Sequence, residues 1–113
     1  LELGGSDPYI ILEDADIDDA VDKCVSSRLL NSGQTCISAK RFIVCERIHK
    51  EFVDKFVNAM KSRTMGDPLQ DPDIGPQAKR GLRDKLHAQV VKSIEHGAEL
   101  LTGGKIPDMQ GNY

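Results

Sequence analysis

The apolar positions of this chain fall into blocks with two different periods. Tyr9-Ile10-Ile11-Leu12 is a run without polar alternation, rich in aromatic and β-branched side chains. With Pro8 at its start, it predicts a strand over residues 8–12, buried on both faces as in a parallel sheet. Ile17, Ala20, Val21, Cys24, Val25 and Leu29 then recur at steps of three and four, the period of an amphipathic helix. Asp16 stands where an N-cap belongs, and Asp18 and Asp19 put negative charge at the end favoured by the helix dipole. Gly33 is placed to end the helix in the left-handed conformation. Small residues fill positions 34–39, and residues 41–45 read as a second strand. A second helix is predicted over residues 48–63, with Phe52, Val53, Phe56, Val57 and Met60 on one face and Lys61 and Arg63 in its last turn.

Residues 64–76 carry Gly66, Pro68, Pro72, Gly75 and Pro76 and must form a loop, as a link between domains or a crossing between helices. Leu82, Leu86, Val90 and Ile94, at steps of four, predict a third helix over residues 77–96, with Gly97 as its stop. Residues 98–102 read as a third short strand, closed by Gly103-Gly104. The order strand, helix, strand, helix, helix, strand predicts an α/β fold, with helices layered on a mainly parallel sheet.

Composition narrows the function classes. The 113 residues suit one domain at most, and 39% hydrophobic with 29% charged residues is ordinary for a globular protein. A net charge of -3 argues against a nucleic-acid surface. Lys40-Arg41 and Lys79-Arg80 are short basic pairs that read as solvated faces. No apolar run approaches the roughly 18 residues of a membrane span. Three cysteines without CxxC spacing suggest neither a disulfide framework nor a zinc site. Cys24 and Cys45 are expected in the core, and His49, His87 and His96 lack metal-ligand spacing. The chain opens at Leu1 inside a dense motif and stops at Tyr113, and both ends look cut from a longer parent.

Two segments carry candidate chemistry. Glu2-Leu3-Gly4-Gly5 sets a carboxylate against tightly turning backbone; alone, it reads first as a turn with a surface glutamate. Asn31-Ser32-Gly33-Gln34-Thr35-Cys36 follows a helix and precedes a strand, which puts Cys36 on a loop at the edge of the sheet. Alone, Cys36 also reads as a buried structural thiol.

Together, Glu-Leu-Gly-Gly and Gly-Gln-Thr-Cys, with the thiol 34 positions after the acid, resemble the aldehyde dehydrogenase superfamily. The likeness continues through Asp14-Ala15-Asp16-Ile17-Asp18-Asp19-Ala20, Arg41-Phe42-Ile43-Val44, Phe52-Val53-Asp54-Lys55-Phe56, Gly66-Asp67-Pro68, Ile74-Gly75-Pro76 and Gly97-Ala98 with Gly103-Gly104, covering essentially the whole chain. The resemblance implies that residues 1–113 are the first part of a cysteine-bearing catalytic domain, with most of the cofactor-binding domain absent. The family's oxyanion-hole asparagine and its later Glu-x-Phe-Gly-Pro segment have no counterpart here.

The resemblance makes Cys36 the nucleophile and Glu2 the general base. The Cys36 thiolate attacks an aldehyde to give a thiohemiacetal, hydride leaves for the nicotinamide of NAD or NADP, and Glu2 activates the water that hydrolyses the thioester. The Cys36 backbone N–H is the expected oxyanion donor. Leu3 and Gly4 are the residues set against the cofactor. The partner implied is a small-molecule aldehyde, with no nucleic acid and no membrane, and the parent is expected to be a cytoplasmic homodimer or homotetramer. Gly-Gly-Ser-Asp-Pro and Ser38-Ala39-Lys40-Arg41-Phe42 look most like bacterial succinate-semialdehyde dehydrogenases. One kind of family member places a carboxylate-binding arginine six positions before the cysteine; here that position is Leu30, and Arg28 lies two residues earlier. A non-catalytic module with the same fold, kept for oligomer contacts, is the rival reading, but such a module needs neither Cys36 nor Glu2. Acyl-phosphate and acyl-CoA reductases share the cysteine but need no water-activating base.

Overall fold

A computed structural model describes residues 4–113. Strand β1 (Pro8–Ile11) pairs in parallel with β2 (Arg41–Val44), in the register Pro8↔Arg41 to Ile11↔Val44. Helix α1 (Ile17–Leu29) crosses between them, helix α2 (Glu46–Lys61) follows β2, and helix α3 (Arg80–Glu95) comes last. The α/β expectation and the parallel pairing hold.

The core lies on one side of this sheet. Ile11 on β1, Val21, Cys24 and Val25 on α1, and Ile48 and Phe52 on α2 are buried together. Tyr9, Phe42 and Val44 pack against them, and the Phe42 ring lies 5.0 Å from Phe56 between centroids. Asp16 caps α1 as expected, its carboxylate accepting the Asp19 N–H at 3.1 Å. Cys24 is core as expected; Cys45 is half-buried, one residue beyond β2, and packs against the same cluster.

Burial of β1 on both faces is not found. Ile10 and Ile43, paired across the ladder, are 65% and 53% exposed. Both core helices lie on the other face, so an apolar strand written for two covering layers has one among the described residues. The third strand is also absent: residues 98–102 form no ladder, and Leu100 and Leu101 stand exposed. A strand exists only through a neighbour's hydrogen bonds, and the described two-stranded sheet brings none alongside. Helix α3 forms, but Leu82, Leu86 and Ile94 on its apolar row are exposed. It begins at Arg80 rather than 77, after an extended Lys79, and the amides of Gln77 and Ala78 ahead of it donate to Asn112 O and Gln34 Oε1 at 2.9 Å each. Arg63 lies beyond the last turn of α2, where Nη1 faces Asp73 at 3.4 Å.

Residues 64–76 are an ordered crossing. Asp67 caps the short turn Pro68–Gln70, and Met65 bridges to Ile74. The Asp73 carboxylate accepts the Thr64 backbone N–H and hydroxyl, both at 2.8 Å. These bonds, the backbone one first, hold the Asp73 carboxyl below the usual carboxylate range. A folded pKa below the unfolded one means the contribution is present above the ordinary carboxylate range and is lost as pH falls through the folded value. Acidification from about pH 6 to about pH 3 should therefore loosen this loop ahead of the core, speeding exchange of the Thr64 amide beyond its intrinsic pH dependence. Unchanged protection of Thr64 would remove Asp73 as the closure.

Candidate active site

The strands fix where the candidate residues gather. Because β1 and β2 run parallel from Pro8 and Arg41, the segments that feed them reach the sheet at the same edge. Gly4 and Ser6 belong to the first segment and Cys36 to the second. The first is tied to the second strand by Arg41 Nε, which donates to Ser6 O at 2.8 Å. Glu2 and Leu3, the expected base and cofactor contact, lie outside the described residues. Gly4 is exposed at φ +74, and a Cβ there would meet nothing within 4 Å.

Chain geometry before Cys36 is unusual. Helix α1 ends at Leu29, earlier than a Gly33 stop implied, and a 3₁₀ turn spans Leu30–Gly33. Asn31, Ser32 and Gly33 follow one another at φ 51, 55 and 77. Left-handed residues other than glycine are uncommon and persist where the surroundings enforce them. Here Ser32 Oγ accepts the Gly75 N–H at 2.9 Å, and Gln34 N donates to Asn31 O at 3.1 Å. Gln34 Nε2 also reaches Pro76 O at 3.3 Å. The 64–76 crossing is thus docked on the approach to the cysteine.

Cys36 itself stands at the tip of a tight turn. Ser38 N donates to Thr35 Oγ1 at 3.0 Å, and the Ser38 hydroxyl lies 2.7 Å from Thr35 Oγ1 and 3.1 Å from Leu30 O. Ser38 and Ala39 are buried while Cys36 and Ile37 are exposed. The buried-thiol reading of Cys36 therefore fails on exposure. Cys24 contrasts with it: burial pushes its thiol pKa up, which disfavours the reactive thiolate.

Sequence reasoning missed three side chains that hold this turn. Lys40, read as half of a solvated pair, sets its ammonium against the carbonyls of Thr35, Cys36 and Ser38 at 3.2, 3.0 and 3.2 Å. Arg28 Nη1 and Nη2 donate to Ala39 O at 2.6 Å and Gly33 O at 2.7 Å. Ser27 Oγ accepts the Ala39 N–H at 3.2 Å and pairs with Tyr9 OH at 2.8 Å. The signal for Arg28 was its place in the last turn of a helix that leads directly into a glycine-stopped loop. Among the described residues no cluster of metal-ligating side chains forms, and no helix is long and apolar enough to cross a membrane.

The fold that carries this turn matches known enzymes. The profile of the aldehyde dehydrogenase family matches residues 1–113. The chain belongs to that family, which is a family of enzymes. A protein of Escherichia coli named succinate semialdehyde dehydrogenase (NAD(P)+) is 49% identical over 114 residues, covering 100% of this chain and 25% of the relative. One of Mycobacterium avium, named succinate-semialdehyde dehydrogenase (NADP(+)), is 50% identical over 113 residues, covering 98% and 24%. The crystal structure of lactaldehyde dehydrogenase from Escherichia coli superposes with a TM-score of 0.96 at 36% identity, covering 100% of this chain and 24% of that one. The chain spans about a quarter of the length of these relatives.

Proposed function

We propose that residues 1–113 are the cysteine-bearing part of the catalytic domain of an NAD- or NADP-dependent aldehyde dehydrogenase. In this reading Cys36 is its nucleophile, Glu2 its general base, and succinate semialdehyde its substrate. The observation that carries the reading is the exposed Cys36 at the tip of a turn closed by hydrogen bonds from buried Ser38 to Thr35 and Leu30. An exposed thiol on a fixed backbone suits attack on a carbonyl carbon, and cysteine is well fitted because it is partly thiolate near neutral pH. The resulting oxyanion needs a donor, and the Cys36 backbone N–H is adjacent in the chain. The bound nicotinamide supplies the hydride acceptor. Gly4 fits a place beside it, since its open, side-chain-free backbone admits close approach by a ligand. Leu3 is its neighbour in this assignment. Glu2 then takes a proton from the water that attacks the Cys36 thioester. The two relatives named for succinate semialdehyde, at 49% and 50% identity, support that substrate. Assembly as a cytoplasmic homodimer or homotetramer belongs to the same reading, on the family resemblance.

The test is thiol labelling of the full-length protein that carries this segment. Iodoacetamide should alkylate Cys36 ahead of Cys24 and Cys45 and stop aldehyde-dependent NAD(P)H production in step with Cys36 modification. Succinate semialdehyde should slow both. Loss of activity that tracks another cysteine, or full activity after Cys36 is alkylated, would refute the proposal.

A further inference from the structure

We infer that Arg28 is a positioning residue for Cys36, a role that rests on the reading of Cys36 as nucleophile. Its guanidinium bridges the two stems of the cysteine loop, donating to Gly33 O before the turn and to Ala39 O after it. Arg28 itself stands in the last turn of α1, a helix anchored in the core by Val21, Cys24 and Val25. The loop is thereby referenced to a rigid element. Ser27 holds the same stem from the neighbouring position, so the N–H and C=O of buried Ala39 are gripped by consecutive residues of one helix.

Gly33 gives an independent sign of how close this clasp is. A methyl group there would run into the Arg28 guanidinium, in addition to the strain of a side chain at φ +77. The absence of a side chain at Gly33 is what lets the guanidinium reach both carbonyls. The guanidinium is half-buried, and burial lowers its pKa, yet arginine stays charged, so both bonds are charge-assisted. Lysine is a point charge and cannot reproduce a planar fork across two carbonyls.

The consequence is chemical because Cys36 brings both its sulfur and its N–H to the reaction. A stem that relaxes moves nucleophile and oxyanion donor together. Reactive geometry is steep enough that a shift of about 1 Å costs about 10²-fold in rate. A fold-only role would look different: fewer competent sites, each reacting at the normal rate.

The experiment uses Arg28→Met and Arg28→Lys in the full-length dehydrogenase, with pre-steady-state mixing against aldehyde and cofactor. Positioning predicts a full-amplitude titration of competent Cys36 thiols, as in wild type, an acylation rate lowered about 10²-fold for Met in single turnovers, and kcat/KM falling with it, any burst of NAD(P)H being lost once acylation becomes rate-limiting. Arg28→Lys should recover part of the rate. If Arg28→Met does not fold, Arg28→Lys carries the test: a slowed acylation at full titration amplitude supports the clasp. A reduced titration amplitude with wild-type acylation per site, or no change at all, overturns the positioning role and leaves the nucleophile in place. A Cys36→Ala enzyme that still turns over overturns the nucleophile and the positioning role together.

Discussion

Cys36→Ala in the full-length enzyme is expected to abolish both dehydrogenase and esterase turnover, a loss of about 10⁴-fold or more. In the proposed mechanism both reactions pass through attack by the same sulfur, so removing it leaves no covalent route. The matched control is Cys24→Ala. Cys24 is 3% exposed, with its thiol pKa pushed up by burial, and touches the core formed by α1, β1 and α2. Its loss should cost stability, about 1 kcal/mol for a small core residue, and leave kcat nearly intact. Steady-state kinetics with thermal unfolding of the two variants separates the effects. Equal losses of activity would mean that the nucleophile has been misassigned.

The elements that close on themselves were legible in the sequence, and those that depend on absent neighbours were not. Helix α1 announces itself through Asp16 and its three-and-four spacing, and its apolar face finds α2 and the sheet. The run Tyr9-Ile10-Ile11 correctly reads as strand. What it cannot state is which faces are covered, because Ile10 waits for a layer that residues 4–113 do not supply. Residues 98–102 fail for the same reason at the level of hydrogen bonds. Within the site, the position of Cys36 on a loop was readable from the order of elements. Its clasp was not. The Arg28 bonds span five and eleven residues and depend on the left-handed path of Asn31, Ser32 and Gly33, which only Gly33 advertises. Lys40 is exposed, as a lysine beside an arginine is expected to be, but the three turn carbonyls that collect around its ammonium had no signal in the sequence.

Glu2→Gln in the full-length enzyme is expected to separate acylation from hydrolysis. The amide keeps the shape and part of the hydrogen bonding of the carboxylate but cannot accept the water's proton at neutral pH. Loss of a general base commonly costs on the order of 10²–10⁴ in rate. The Cys36 thioester should then accumulate, giving a rapid burst of NAD(P)H with amplitude near one per active site, followed by a slow steady state. If deacylation already limits the wild type, both enzymes burst alike and only the later phase slows. A second role for Glu2, helping to deprotonate Cys36, would slow the burst without removing it. The rival reading makes Glu2 a turn residue ahead of Gly4 and Gly5, and it predicts ordinary turnover once the variant is folded. Rapid mixing of Glu2→Gln with aldehyde and cofactor distinguishes the two: wild-type turnover after the burst would mean that Glu2 is not the base.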